Sequence, residues 1–252
     1  RHKTDIKTME TTLITIFQSI KDTSTPFHRP IDVILARIQE GKSKEIVKGI
    51  RAEKDKEKRN LLKQKLPAIC FSGEFIKRND DAIKNHSGFI CLDFDGFKLK
   101  RELMAKKDEL AKSKYTYSVF ISPSGNGLKV LVKIPKDIEL HKNYFLALQK
   151  HFDSEHFDRT SKNISRVCYE SYDPLIYINE NSITWTTVEE EDYTQHDIRN
   201  SSPTIKIDDE NEIVRRLMLW WESKYGFIEG ERNNNLFILA SAFNEFGVSQ
   251  SL

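Results

Sequence analysis

Runs of apolar residues change period several times along this chain, and each period predicts an element. Residues 11–18 are β-branched and apolar and predict a strand. Thr23 to Pro30 reads as a loop. Ile31 to Gln39 carries Val33, Ile34, Arg37 and Ile38 at helical spacing, with Gly41 just past its end. Ser43 to about Lys58 predicts a second, highly charged helix with Ile46, Val47 and Ile50 on one face. Leu66 to Gly73 predicts a strand running into a turn, and Phe75 to Asn85 connecting structure. Phe89 to Asp95 predicts a strand that begins with four apolar residues in a row, as in a strand covered on both faces. Leu99 to Ser113 predicts a helix with Leu103, Met104, Leu110 and Ala111 inward. Tyr115–Ser122 and Gly127–Ile134 predict a hairpin around Pro123-Ser-Gly-Asn126. Ile138 to Phe152 is an amphipathic helix, Asp158 to Arg166 a polar loop, and Val167–Tyr172 and Leu175–Ile178 short strands.

The order strand–helix–strand–strand–helix–strand predicts an α+β fold. Its sheet is mainly antiparallel with helices on one face, a relative of the ferredoxin-like (RRM-like) unit, and an N-terminal α/β subdomain precedes it. From Thr186 to about Asp208 the chain is acidic, polar and without period, which predicts a linker. Two helices follow. One carries Ile213, Leu217, Trp220 and Trp221 on its apolar face, the other Leu236, Leu239, Ala240 and Phe243. The expected organisation is residues 1–185, a linker at 186–208 and a helical domain at 209–252. That last domain is expected to be incomplete. The chain begins at Arg1 rather than Met and reads as a piece of a longer protein.

Composition narrows the class. The hydrophobic share is 38% and the charged share 31%, which predicts a soluble, rather polar protein. No apolar run approaches the roughly 18–20 residues that span a membrane, and no secretory pattern opens the chain. Cys70, Cys91 and Cys168 fit neither zinc nor disulfide spacing, and read as reduced core residues of a cytoplasmic protein. Net charge is only +2, yet Lys42–Lys65 holds ten Lys/Arg against four Asp/Glu, while Glu189–Glu212 is acidic. The basic segment suggests a polyanionic partner. Its plain alternative is a solvated helix face with i,i+4 ion pairs.

Three stretches carry candidate chemistry. Asp93 and Asp95 end the apolar strand two residues apart, so both point to one face. Two carboxylates that close need a cation, and Mg²⁺ takes such hard oxygen ligands. Gly96 then lets the chain turn away; a simple turn cap is the alternative. In the hairpin, Gly125 and Gly127 permit a nest of backbone N–H groups for phosphate oxygens, Ser122 and Ser124 add hydroxyls, and Lys129 lies on the following strand. An ordinary Asn-Gly type I′ turn would need no ligand. Third, Asp158 follows Phe157 and could complete a three-carboxylate metal site, with Arg166 to hold a triphosphate. A helix cap and a surface ion pair are the alternatives there.

In this order the three stretches resemble the catalytic layout of the archaeo-eukaryotic primase superfamily, the primase-polymerases. Asp93 and Asp95 match its Asp-x-Asp/Glu motif and Asp158 its apolar-Asp motif. Ser122–Gly127 matches the Ser/Gly part of its second motif, with Lys129 where the family usually has His. More closely, residues from about Lys63 to Pro174 resemble the VirE N-terminal domain, a primase-like domain of phages and mobile elements in which Lys at that motif is an accepted form. Leu66–Gly73, Ser87–Asp95, Ser122–Val130 and Ser161–Val167 carry that likeness. Residues 209–252 resemble the small helical domain that follows many such primases, in Gly226–Asn233. The resemblance implies a DNA replication enzyme, a primase/polymerase-type nucleotidyltransferase working on single-stranded DNA with dNTPs or NTPs by a two-metal mechanism. Asp93, Asp95 and Asp158 would bind Mg²⁺ or Mn²⁺. Ser122, Ser124, Gly125, Gly127, Lys129 and Arg166 would seat the nucleotide, and a helicase domain or protein is an implied partner. A non-catalytic nucleic-acid-binding replication module and a metal-dependent nuclease suit the same residues.

Overall fold

The computed structural model describes residues 12–190, 209–226, 232–246 and 248. Alternation along strand β6 (Phe89–Phe94) organises the larger part of it. Ile90, Leu92 and Phe94 enter one core, and Phe89 and Cys91 face another on the opposite side. The run is apolar on both sides because both sides are covered, as its sequence predicts.

Strand β6 pairs antiparallel with β8 (Leu128–Lys133), and β8 with β7 (Thr116–Ile121). The sheet closes with β10 (Tyr177–Ile178), in the order β10-β7-β8-β6. Helices α4 (Lys100–Ala111) and α5 (His141–Phe152) cover one face with Leu103, Leu110, Phe145 and Leu148. The other face meets a second antiparallel sheet. Its strands are β1 (Leu13–Phe17), β2 (Phe27–Pro30), β3 (Ala68–Cys70) and β9 (Cys168–Tyr169), in the order β2-β1-β3-β9. Ile14, Ile16 and Ile69 of that sheet, with Ile34, Leu35 and Ile38 of helix α1 (Ile31–Glu40), pack on Phe120 and Leu131. Helices α2 (Lys44–Ala52) and α3 (Lys56–Lys63) follow α1, and β4 (Gly73–Phe75) pairs with β5 (Ile83–His86). The architecture is the expected α+β type with antiparallel sheets.

The strand order departs from a ferredoxin-like unit. There the last strand lies beside the first; here β10 joins the β7 edge and β9 goes to the other sheet. Asp173 supplies the reason. Its carboxylate accepts from Lys107 Nζ at 2.6 Å, Ile121 N at 2.9 Å and Leu175 N at 3.0 Å. These bonds tie the chain to the end of β7 just before β10 begins. Lys107 occupies the inward face of α4 between Leu103 and Leu110, where its buried ion pair with Asp173 and a 2.7 Å bond to Leu175 O make a lysine tolerable.

Other expectations need correction. The loop at Thr23–Pro30 ends in β2, whose Phe-His-Arg-Pro has no alternating pattern and lies at a sheet edge, where proline is allowed. The helix expected over Ser43–Lys58 is two helices, because the Asp55 carboxylate caps a new one by accepting from Lys58 N at 2.9 Å. The connecting stretch Phe75–Asn85 contains most of β5. The linker does not begin at Thr186: buried Trp185 donates to Thr187 O at 2.7 Å, and Glu189 pairs with Lys150 of α5 at 2.6 Å. Residues 191–208 of that linker lie outside the described residues.

The chain divides into two compact units, Arg1–Glu191 and Asp192–Leu252. In the second, α6 (Glu210–Lys224) and α7 (Arg232–Glu245) enclose Trp221, whose indole N–H donates to Asn235 O at 2.6 Å. That bond turns Asn235, Leu239 and Ala242 inward, so Leu236 and Ala240 are exposed rather than buried as the periodicity predicts. Among the described residues no helix is long and apolar enough to cross a membrane, and the three cysteines are free thiols.

His86 of β5 and His141, the first residue of α5, form a buried pair. Gly88 N donates to His86 Nδ1 at 2.9 Å, so the His86 proton is on Nε2, 3.0 Å from His141 Nδ1. Burial lowers His86 to about 4 and His141 to about 3. The unfolded chain, with histidines near 6.5, therefore takes up protons first as pH falls. The pair's stability is complete above about pH 6.5 and is lost progressively toward pH 4 and 3. Urea unfolding at pH 7 and 4.5 checks this. Wild type loses on the order of 5 kcal/mol more than a His86→Gln/His141→Gln variant; equal losses would place the acid sensitivity elsewhere.

Candidate metal centre

Two separate segments build this centre. The first is the end of β6, where Asp93 lies opposite Lys129 in the β6–β8 register. Asp95 follows on the same side, and Gly96, at φ 83° with open space around it, turns the chain away. The second segment comes after α5 and runs beside the end of β6. Phe157 bridges Phe94, Asp95 N donates to His156 O at 2.8 Å, and Asp158 N donates to Asp93 O at 2.8 Å. The Phe157 ring packs edge-on against Phe94 and Phe145, at centroid distances of 5.2 and 5.4 Å. An apolar anchor thus fixes the polar residue after it. One oxygen from each of Asp93, Asp95 and Asp158 lies within 4.8 Å of the others.

The hairpin turn closes the third side. Ser122 N donates to Gly127 O at 2.8 Å and Gly125 N to Ser122 O at 2.9 Å. Gly125 has φ 77° while Asn126 does not take a positive φ, so this is not the Asn-Gly type I′ turn. Gly127 is required for a different reason. A Cβ there would overlap the Asp95 carboxylate and come within 2.9 Å of Phe94 O. The same position is 3.1 Å from Ser122 Oγ, a buried hydroxyl with no hydrogen-bond partner. Ser124 and Gly125 instead line a cleft of about 340 Å³ with Arg51, Phe97 and Lys98, and the three aspartates do not line it.

Charge is unevenly balanced across the carboxylates. Lys129 Nζ lies 2.5 Å from Asp93 Oδ1, and the two side chains are 11% and 8% exposed. Burial opposes the ammonium, but Asp93 and its neighbours outweigh it and raise the Lys129 pKa. The Asp95 carboxyl is raised by burial first, then by Asp93 and Asp158, with Lys129 and Lys63 offsetting part. Asp158 also feels burial, yet it is lowered. Ser161 Oγ donates to its Oδ2 at 2.6 Å, Thr160 donates to its Oδ1 through N and Oγ1, and Arg166 Nη2 lies 3.2 Å away. Hard oxygens with one carboxylate lacking a cation of its own suit Mg²⁺ or Mn²⁺.

Asp93, Asp95, Asp158, Lys129, Gly127 and Arg166 therefore come together, with Ser122 at the border. Sequence reasoning passed over four residues. Thr160 and Ser161 form the turn that Asp-x-Thr-Ser signals. Arg51 holds the hairpin turn, donating to Ser122 O at 3.1 Å and Tyr172 O at 2.9 Å. His156 stacks on Phe97 at 3.9 Å, with Nδ1 2.9 Å from Asp95 O. Neither Arg51 nor His156 has a local signal, since their partners are distant in sequence.

The sequence profile of the family described as "BT4734-like, N-terminal domain" matches residues 61–178. The triad, the hairpin turn and Arg166 all fall inside that stretch. No curated protein matches the chain. Among solved structures, the chain is similar to the AEP domain of the primase-polymerase of cyanophage S-2L. Identity is 12%, covering 69% of this chain and 83% of that one, and the TM-score is 0.37. That superposition is too loose to carry residue roles across.

Gly127→Ala tests the cradle. The added methyl displaces the Asp95 carboxylate, so Mn²⁺ affinity should fall about tenfold or more while far-UV circular dichroism is unchanged. Unaltered Mn²⁺ affinity in the folded variant would show that the approach of Gly127 to Asp95 has no bearing on metal binding.

Proposed function

We propose that the first unit is a primase-polymerase-type nucleotidyltransferase that adds nucleotides on a single-stranded DNA template. The observation that carries this reading is the convergence of Asp93, Asp95 and Asp158 within 4.8 Å, beside a buried lysine and a glycine-rich turn. The order of these motifs in the sequence supports it.

Mg²⁺ or Mn²⁺ bound here would stabilise charge on the transferring phosphate and promote attack by a 3′-hydroxyl. Asp93, Asp95 and Asp158 would hold the ions. Lys129 directs a fixed positive charge at the triphosphate, as lysine does as a point charge in place of an imidazole. Arg166 holds Asp158 through one nitrogen and has further N–H donors for phosphate oxygens. Ser122 and Gly127 border the nucleotide at the turn, while Ser124 and Gly125 face the neighbouring cleft. Lys48 of α2, Lys54 in the connection and Lys56 and Lys58 of α3 are exposed and suit a nucleic-acid backbone. A helicase domain or protein as partner belongs to this reading.

One observation favours a second reading. The Asp93–Lys129 ion pair satisfies one aspartate without any metal, as in a module that binds nucleotide or nucleic acid without polymerising. Primer synthesis and extension on labelled single-stranded DNA, with Mg²⁺ and with Mn²⁺, separates the two. Wild type should give extended product, and Asp93→Ala/Asp95→Ala should reduce it at least ~100-fold. Retardation of the template without extension would leave the binding module, and shortening would mean a nuclease. Template affinity should also fall about tenfold or more between 50 and 200 mM salt, because backbone contacts release counterions. A salt-independent affinity measured by fluorescence anisotropy would remove α2 and α3 from the interface.

A further inference from the structure

The lysine of this centre is placed as a permanent ligand of one aspartate. Asp93 and Lys129 are directly opposed on neighbouring central strands, so the backbone ladder sets their separation. Their side chains meet at 2.5 Å with about nine-tenths of each buried, and Phe120 flanks Lys129 on its other side, on β7. A lysine held this way cannot retreat into solvent when another cation arrives. Asp93 Oδ1 is therefore taken before any ion binds. What remains is Asp93 Oδ2, with Ser161 Oγ 3.4 Å from it, and the carboxylates of Asp95 and Asp158. Asp158 has Arg166 beside it at 3.2 Å. Among these, Asp95 has no ion pair at hydrogen-bond distance, and the space that Gly127 leaves open lies between its Oδ1 and the unpartnered hydroxyl of buried Ser122.

Charge bookkeeping follows from these contacts. Three carboxylates facing Lys129, with Arg166 beside Asp158, leave room for no more than one divalent ion. A second would have to lie against the Lys129 ammonium with no further carboxylate to offset the repulsion. We propose that Lys129 is a resident cation of the centre. It limits the nucleotide-free protein to one divalent ion, held around Asp95 and Asp158 with the remaining oxygen of Asp93. The second ion of a two-metal reaction then depends on the negative charge that a bound triphosphate brings. This inference rests on the metal-dependent reading above and goes beyond it in assigning the ion count to one side chain.

The test is Mn²⁺ binding to the purified full chain without nucleotide or DNA, followed by the electron paramagnetic resonance signal of free Mn²⁺. Wild type should bind one Mn²⁺ per chain. Lys129→Met should add a second equivalent or bind the first at least about tenfold tighter. Lys129→Arg keeps the charge and should stay at one. Two equivalents in wild type would overturn the inference and leave the enzyme reading intact, and this outcome requires no variant to fold. A folded Lys129→Met with wild-type stoichiometry and affinity would overturn it as well. Wild type that binds no Mn²⁺ at millimolar concentration would overturn the metal-dependent reading itself.

Discussion

The contact of Phe157 with Phe94 and Phe145 decides whether the candidate centre exists. Asp93 and Asp95 come from a central strand and need nothing more than strand alternation to stand together. Asp158 is more than sixty residues away in sequence, on a segment of turns with little secondary structure of its own. Such a segment is held only where something anchors it. Here one aromatic ring enters the core, and two backbone bonds on either side of it set the register. A shift of one residue would put Phe157 at the carboxylates and Asp158 in the core, which is costly in both places. The pairing of an apolar residue with the aspartate after it is therefore a physical unit. The first chooses the place and the second presents the carboxylate.

The same segment explains why the sheet is not an ordinary ferredoxin-like unit. The edge of β6 near its end is filled by His156–Asp158, and the last strand has gone to the opposite edge with β7. Asp173 enforces that path through Lys107 and the amide of Ile121. Two buried or half-buried aspartates thus divide the work along one stretch of chain. Asp158 is held by hydroxyls and an exposed arginine and stays available, whereas Asp173 is closed off by a buried lysine and serves the fold alone.

Much of this was legible in sequence. The apolar run of β6, the hairpin of β7 and β8 and the helices α1, α4 and α5 all follow from period and punctuation. The aspartate pair was legible because two residues on a strand share a face whatever the tertiary fold. What escaped was long-range. The strand β2 has no alternation because it lies at an edge, and its pairing with β1 is what makes it a strand. Lys107 reads as solvent-facing until Asp173 is brought to it. Arg51 sits in a charge-rich helix, where nothing distinguishes it from its neighbours until the hairpin carbonyl of Ser122 arrives. The α7 face was misread because Asn235 is turned inward, accepting from Trp221 at its carbonyl and donating from its side-chain amide to Tyr225 O and Gly226 O.

Glycine at 127 and lysine at 129 show how closely the turn is matched to the aspartates. Gly127 has no special backbone angle, and the missing side chain is required by the nearness of Asp95. Two residues on, the strand returns toward β6 and presents Lys129 to Asp93. One strand thus leaves space at one carboxylate and supplies charge to the other. The result is an asymmetric pair: Asp93 is neutralised from within the protein, and Asp95, beside two further carboxylates, has no ion pair at hydrogen-bond distance.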